Sequence, residues 1–112
     1  MLIEKREVIT AGDVISVRLL NGEEIIAKLV SADDKTIVVS KPIVASIQMV
    51  SANQAGLAFA PFMATVNEET AKFSFPRQNL LSDPLKTRTD ITANYIKMTT
   101  GLDVAPAGIL KA

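Results

Sequence analysis

The chain has 112 residues, enough for one domain with a small core. It has no cysteine and no histidine, which excludes a disulfide framework and a thiolate metal site and removes the commonest general base and transition-metal ligand. Twelve basic and twelve acidic residues cancel, so no overall field draws the chain to phosphate, and any nucleic-acid contact must come from a local patch.

Residues 1–12, MLIEKREVITAG, read as an N-terminal arm whose charges form a solvated tether. They hold no long apolar run of a secretory leader, and no stretch approaches the roughly 18 apolar residues of a membrane span. A soluble, cytoplasmic protein is expected, with no membrane partner.

Residues 13–40 organise the rest. Ile15, Val17 and Leu19 alternate as one face of a half-buried strand, and Ile25, Ala27 and Leu29 resume the alternation. Asn21-Gly22 between them is a strong hairpin signal, because both residues tolerate positive φ. A two-residue turn would pair Leu19 with Glu24 and put the two apolar sets on opposite faces. One extra residue, as in a glycine bulge, puts them on the same face, so a bulged turn is expected. Residues 31–35, SADDK, form the next turn, and Thr36–Ser40 starts a third strand.

Lys41-Pro42 interrupts that strand at an edge or kink, since proline cannot donate to a ladder, and residues 43–50 can resume it. Residues 51–56, SANQAG, read as a polar loop. Residues 57–66 read as a fourth, strongly apolar strand. Lys72–Phe75 alternates again, and Asn79–Ser82 gives a short final strand that Asp83-Pro84 breaks. Thr89-Asp90 can N-cap a helix over 91–100, closed by Gly101, with Ile91, Tyr95 and Met98 on one face. Its threonines and asparagine make it a mediocre helix that needs packing to persist. The tail 103–112 reads as loosely ordered. The expected layout is a single domain: arm 1–12, barrel 13–84, and helix with tail 85–112.

No catalytic constellation appears. There is no Gly-x-Ser-x-Gly, no phosphate-cradling glycine loop, and no base beside Ser46, Ser51 or Ser82, so no enzyme, cofactor or metal is expected. Asp33-Asp34 could hold a divalent cation or do acid/base work, or could simply cap and solvate a turn; Glu68-Glu69 reads the same way. Arg77-Gln78-Asn79 could bind phosphate and read bases, with Lys35 also facing phosphate. Alternatively Arg77 pairs with a carboxylate and Asn79 caps a turn.

The run Ile15-x-Val17-x-Leu19-x-Asn21-Gly22-Glu23-x-Ile25-x-Ala27-x-Leu29, followed by Asp33, resembles the first motif of the Sm/LSm family. Phe75-Pro76-Arg77-Gln78-Asn79-Leu80-Leu81 is similar to the second. Ala27 stands where the family prefers glycine, and Ile37 where its RNA-contacting asparagine lies. The Lys-Pro interruption, the Pro-Phe-Met strand and the late Tyr-x-x-x-Thr-Thr-Gly segment also resemble small Sm-like proteins of marine phages, especially cyanophages, which implies action inside a bacterial host.

The resemblance implies a mainly β fold, a small, strongly bent five-stranded Sm-like (SH3-type) barrel, here with a short C-terminal helix. It implies a homo-oligomeric ring of about five to seven subunits. The ring closes by pairing the 57–66 strand of one copy with the strand around 79–82 of the next, through Leu57, Phe59, Phe62, Met63, Leu80 and Leu81. It places Asp33, Asp34, Lys35, Arg77, Gln78 and Asn79 around a pore that binds single-stranded RNA or DNA, where repeated weak contacts add about 10²–10⁴-fold at best. The competing expectation is a phage structural or interaction hub that keeps the ring and binds no nucleic acid.

Overall fold

Residues 8–67 and 69–100 are described by a computed structural model. In chain order they form β1 (Val14–Arg18), β2 (Glu24–Ala32), β3 (Thr36–Ser51), β4 (Gln54–Pro61), β5 (Lys72–Pro76), a 3-10 turn (Arg77–Asn79), β6 (Leu85–Lys86) and α1 (Thr89–Thr100). Every ladder is antiparallel, and the strand path is β4-β3-β2-β1-β6 with β5 also on β3. The mainly β fold with one late helix is therefore present. The sheet has six strands rather than five, and among the described residues no ladder joins β5 to β6, so the strands do not close into a barrel.

The first hairpin follows from parity. Val17 pairs with Ile25 and Arg18 with Glu24, and the Leu19 N–H donates to the Glu23 carbonyl at 2.8 Å. That leaves a three-residue loop, Leu20–Gly22, closed by a Gly22 N–H bond to the Leu19 carbonyl (2.9 Å), with Gly22 at φ +95°. This is the bulged turn the alternation requires. It brings Ile15, Val17, Ile25, Ala27 and Leu29 to one buried face, where Ile37, Val39, Phe75 and Leu80 complete the first core.

β3 carries the architecture. β2 runs along one of its edges, while the other edge is shared by β5 over 36–40 and β4 over 43–51. Between the two lies the Lys41-Pro42 step, with Lys41 at φ +51°, so the interruption bends the strand without ending it. α1 clamps this bend. The Tyr95 hydroxyl donates to the Lys41 carbonyl at 2.6 Å, and the Lys41 Nζ donates to the Thr99 carbonyl at 3.4 Å. Tyr95 is buried with Ile26, Ile43 and Ala45 in a second core on the opposite side of the sheet, flanked by Phe59, Ile91 and Met98. The helix thus packs on its own chain, and that burial offsets its poor propensity.

Several boundaries differ from expectation. Residues 51–56 are not a loop: Ser51 pairs with Gln54 across Ala52-Asn53, and the β3–β4 hairpin becomes a long arm. The fourth strand is Gln54–Pro61, not 57–66. Pro61 has no N–H to continue a ladder, and Phe62 turns inward to meet Phe73 and Phe75 edge-on, with ring centroids 5.6 Å apart in each pair. In place of a strand at 79–82 there is a single Leu19–Leu80 bridge; pairing with β1 resumes at Leu85–Lys86, so the sheet reaches past residue 84. The helix begins at Thr89 rather than 91, with the Asp90 carboxylate accepting the Ile91 N–H inside its first turn. Of the arm 1–12, residues 8–12 are described; residues 1–7, Glu68, the Gly101 cap and the tail 103–112 lie outside the described residues.

Candidate functional site

The β2–β3 turn and the 3-10 turn meet at one corner. The Asp33 carboxylate accepts the N–H groups of Lys35 and Thr36, each at 2.8 Å, which is the turn-capping role. Those two backbone donors, Lys35 first and Thr36 second, hold the Asp33 carboxyl below the usual aspartate range, with a smaller pull from the Arg77 charge. Arg77 reaches across from the other loop. Its Nε donates to the Asp33 carbonyl at 2.6 Å, its backbone N–H donates to the Lys35 carbonyl at 2.8 Å, and its guanidinium lies 3.7 Å from the Asp83 carboxylate. The carboxylate-pairing reading of Arg77 is thus present, beside a carbonyl contact that the sequence did not announce.

The corner therefore unites Asp33, Lys35 and Arg77. Asp34 is exposed in the same turn, and Gln78 and Asn79 are exposed on the 3-10 turn. Asn79 leans toward the first hairpin, where its carbonyl accepts the Leu20 N–H at 3.0 Å. Asp33, Asp34 and Asp83 outnumber Lys35 and Arg77, so the corner is not a basic patch. Ile37 is fully buried, paired opposite Phe75, and offers nothing to a ligand. Ala27 is buried opposite Ile15. The arrangement ties the Arg77 Nε into the turn and sets its guanidinium beside the Asp83 carboxylate.

The expected contact residues divide. Leu57, Met63 and Leu81 are exposed; Phe59 and Phe62 are half-buried against the second and first cores; Leu80 is buried in the first core. Sequence reading missed the larger apolar surface on the arm. Ile47 is 75% exposed, and Met49 and Val50 are nearly as bare. Leu20 and Leu85 are exposed near the opposite edge of the sheet. A signal was available: residues 42–67 contain no charged side chain. Where β4 meets the end of α1, a cleft of about 320 Å³ opens between Lys41, Phe59, Pro61, Met98 and Thr99.

Among the described residues, no three carboxylates come close enough to hold a metal ion, and no helix is long and apolar enough to cross a membrane. The chain matches no protein-family model and no curated protein.

Proposed function

We propose that this chain is the subunit of a homo-oligomeric ring of Sm-like shape, working as a protein-interaction hub with no chemistry of its own. The observation that carries the reading is the pair of strands at the ends of the sheet. Among the described residues, β4 pairs only with β3 and β6 only with β1, so each presents a free edge there. Leu57 is exposed beside the first edge, and Leu81 and Leu85 beside the second. Different edges meeting head to tail repeat by rotation, and a rotation that closes makes a ring. The bend in β3 and the bulged first hairpin support the Sm-like reading of the sheet.

A second reading, single-stranded RNA or DNA binding, is favoured by one observation, the meeting of the Asp33–Lys35 turn with Arg77. The acidic excess at that corner and the buried Ile37 favour the hub. Two experiments test the readings. Leu57→Lys and Leu81→Lys each place a charge beside an edge, and each is expected to convert the assembly to monomers in native mass spectrometry while the circular dichroism stays unchanged. Assemblies of unchanged mass in both variants would refute edge pairing. Fluorescence anisotropy with U-rich and A-rich single strands across a salt series then separates the two readings. The hub predicts no saturable binding, whereas the nucleic-acid reading predicts binding weakened both by salt and by Arg77→Ala.

A further inference from the structure

The first hairpin sets an asparagine amide beside an unhindered backbone nitrogen. Asn21 and Gly22 are both exposed at its tip, and no atom lies within 4 Å of the position a Gly22 Cβ would take. The Asn21 Oδ1 accepts the Glu23 N–H at 2.9 Å, which polarises the Cγ carbonyl, and the Asn21 Nδ2 donates to the Glu23 carboxylate at 3.2 Å. The Gly22 N–H donates to the Leu19 carbonyl at 2.9 Å, a bond at an exposed tip that opens without unfolding the sheet. Asn67 makes the same side-chain contact, its Oδ1 accepting the Glu69 N–H at 3.0 Å, but a glutamate follows it. Asn53, Asn79 and Asn94 precede Gln54, Leu80 and Tyr95, so Asn21 is the one asparagine of the chain followed by glycine.

We propose that Asn21 is a site of self-modification, where the chain converts its own amide to aspartate and isoaspartate without an enzyme. The Gly22 nitrogen gives its proton to water and bonds to the Asn21 Cγ. The Cγ–Nδ2 bond breaks, and Nδ2 leaves as ammonia with a proton from water. The succinimide that results takes up water at one of its two carbonyls. Opening at Cγ gives aspartate; opening at the main-chain carbonyl gives isoaspartate, whose main chain runs through the former side chain. Glycine permits the attack, having no Cβ to crowd the nitrogen and a backbone free to reach the reacting geometry. The Glu23 N–H, already on the oxygen where negative charge develops, favours the same step. The two products differ in consequence. Aspartate keeps an acceptor for the Glu23 N–H. Isoaspartate adds a methylene to the main chain of a loop whose length decides which faces of β1 and β2 coincide. The chemistry needs only the hairpin tip, so it stands whether or not rings form.

The test incubates the folded full chain at mildly alkaline pH and follows each asparagine by peptide mass spectrometry. Deamidation at Asn21 is expected to outpace that at Asn67 by about tenfold or more, since the two share the side-chain contact and differ in the residue that follows. Gly22→Ala should slow it by about tenfold. The isoaspartate fraction, separated by chromatography, should unfold at lower urea than the unmodified chain, whereas Asn21→Asp should unfold close to it. That pair assigns the loss to the lengthened main chain and not to the new charge. Modification at Asn21 no faster than at Asn67 would overturn the proposal. So would a rate that Gly22→Ala leaves unchanged, or an isoaspartate fraction as stable as the unmodified chain.

Discussion

Ile25 and Ile47 are the same residue type in the same kind of alternating strand, yet Ile25 is fully buried and Ile47 is 75% exposed. The body of the sheet has a cover on both sides. Phe75 and Leu80 complete one core and Tyr95 the other. The outer half of the β3–β4 hairpin has the same periodicity and composition but extends past both covers. Alternation therefore reports that a face is apolar; topology decides whether anything lies on it.

The largest effects should sharpen that contrast. Ile25→Ala should lower unfolding stability by about 2–5 kcal/mol in a denaturant titration, whereas Ile47→Ala in the monomer should stay within about 0.5 kcal/mol. A large loss at Ile47 would mean that the outer arm is covered after all. Tyr95→Phe keeps the ring in the second core and removes the hydroxyl bond to the Lys41 carbonyl. It should cost about 1–2 kcal/mol, and hydrogen exchange should rise around the β3 bend more than in β1. Gly22→Ala forces a Cβ onto a residue at φ +95° with open space around it, so its cost is backbone strain alone, about 1 kcal/mol.

The smallest effect is at the corner. The native carboxyl of Asp33 is held below its ordinary range. Its stabilisation is thus fully present above about pH 4, the ordinary aspartate value, and is lost as pH falls through the lower folded value. Asp33→Ala should remove that contribution and flatten the acid limb of a stability-against-pH curve. Chemical denaturation at pH 3 and pH 6 reads the difference, which should be smaller in the variant.

What was legible in the sequence was local. The bulged turn at Asn21-Gly22 follows from parity over some fifteen residues, and Lys41-Pro42 announces an irregularity in β3. The positive φ of Lys41 was not legible, because the bend is held by Tyr95, 54 residues away. Residues 51–56 were misread because their polar, glycine-containing composition looks like a loop, while pairing between β3 and β4 overrides that preference and leaves only Ala52-Asn53 as the turn. The two halves of the corner were named in advance, but not the contact that joins them, since Arg77 donates to a carbonyl 44 residues distant and a carbonyl leaves no mark in composition. The open edges at β4 and β6 follow from strand order, which no single segment encodes.

The most direct measurement is the mass of the unmodified protein in solution, by sedimentation velocity over a hundredfold dilution. One discrete species is expected, a closed oligomer of about five to seven 12.0 kDa subunits, because closure leaves no edge on which to grow. A monomer at every concentration would contradict edge pairing and with it the hub.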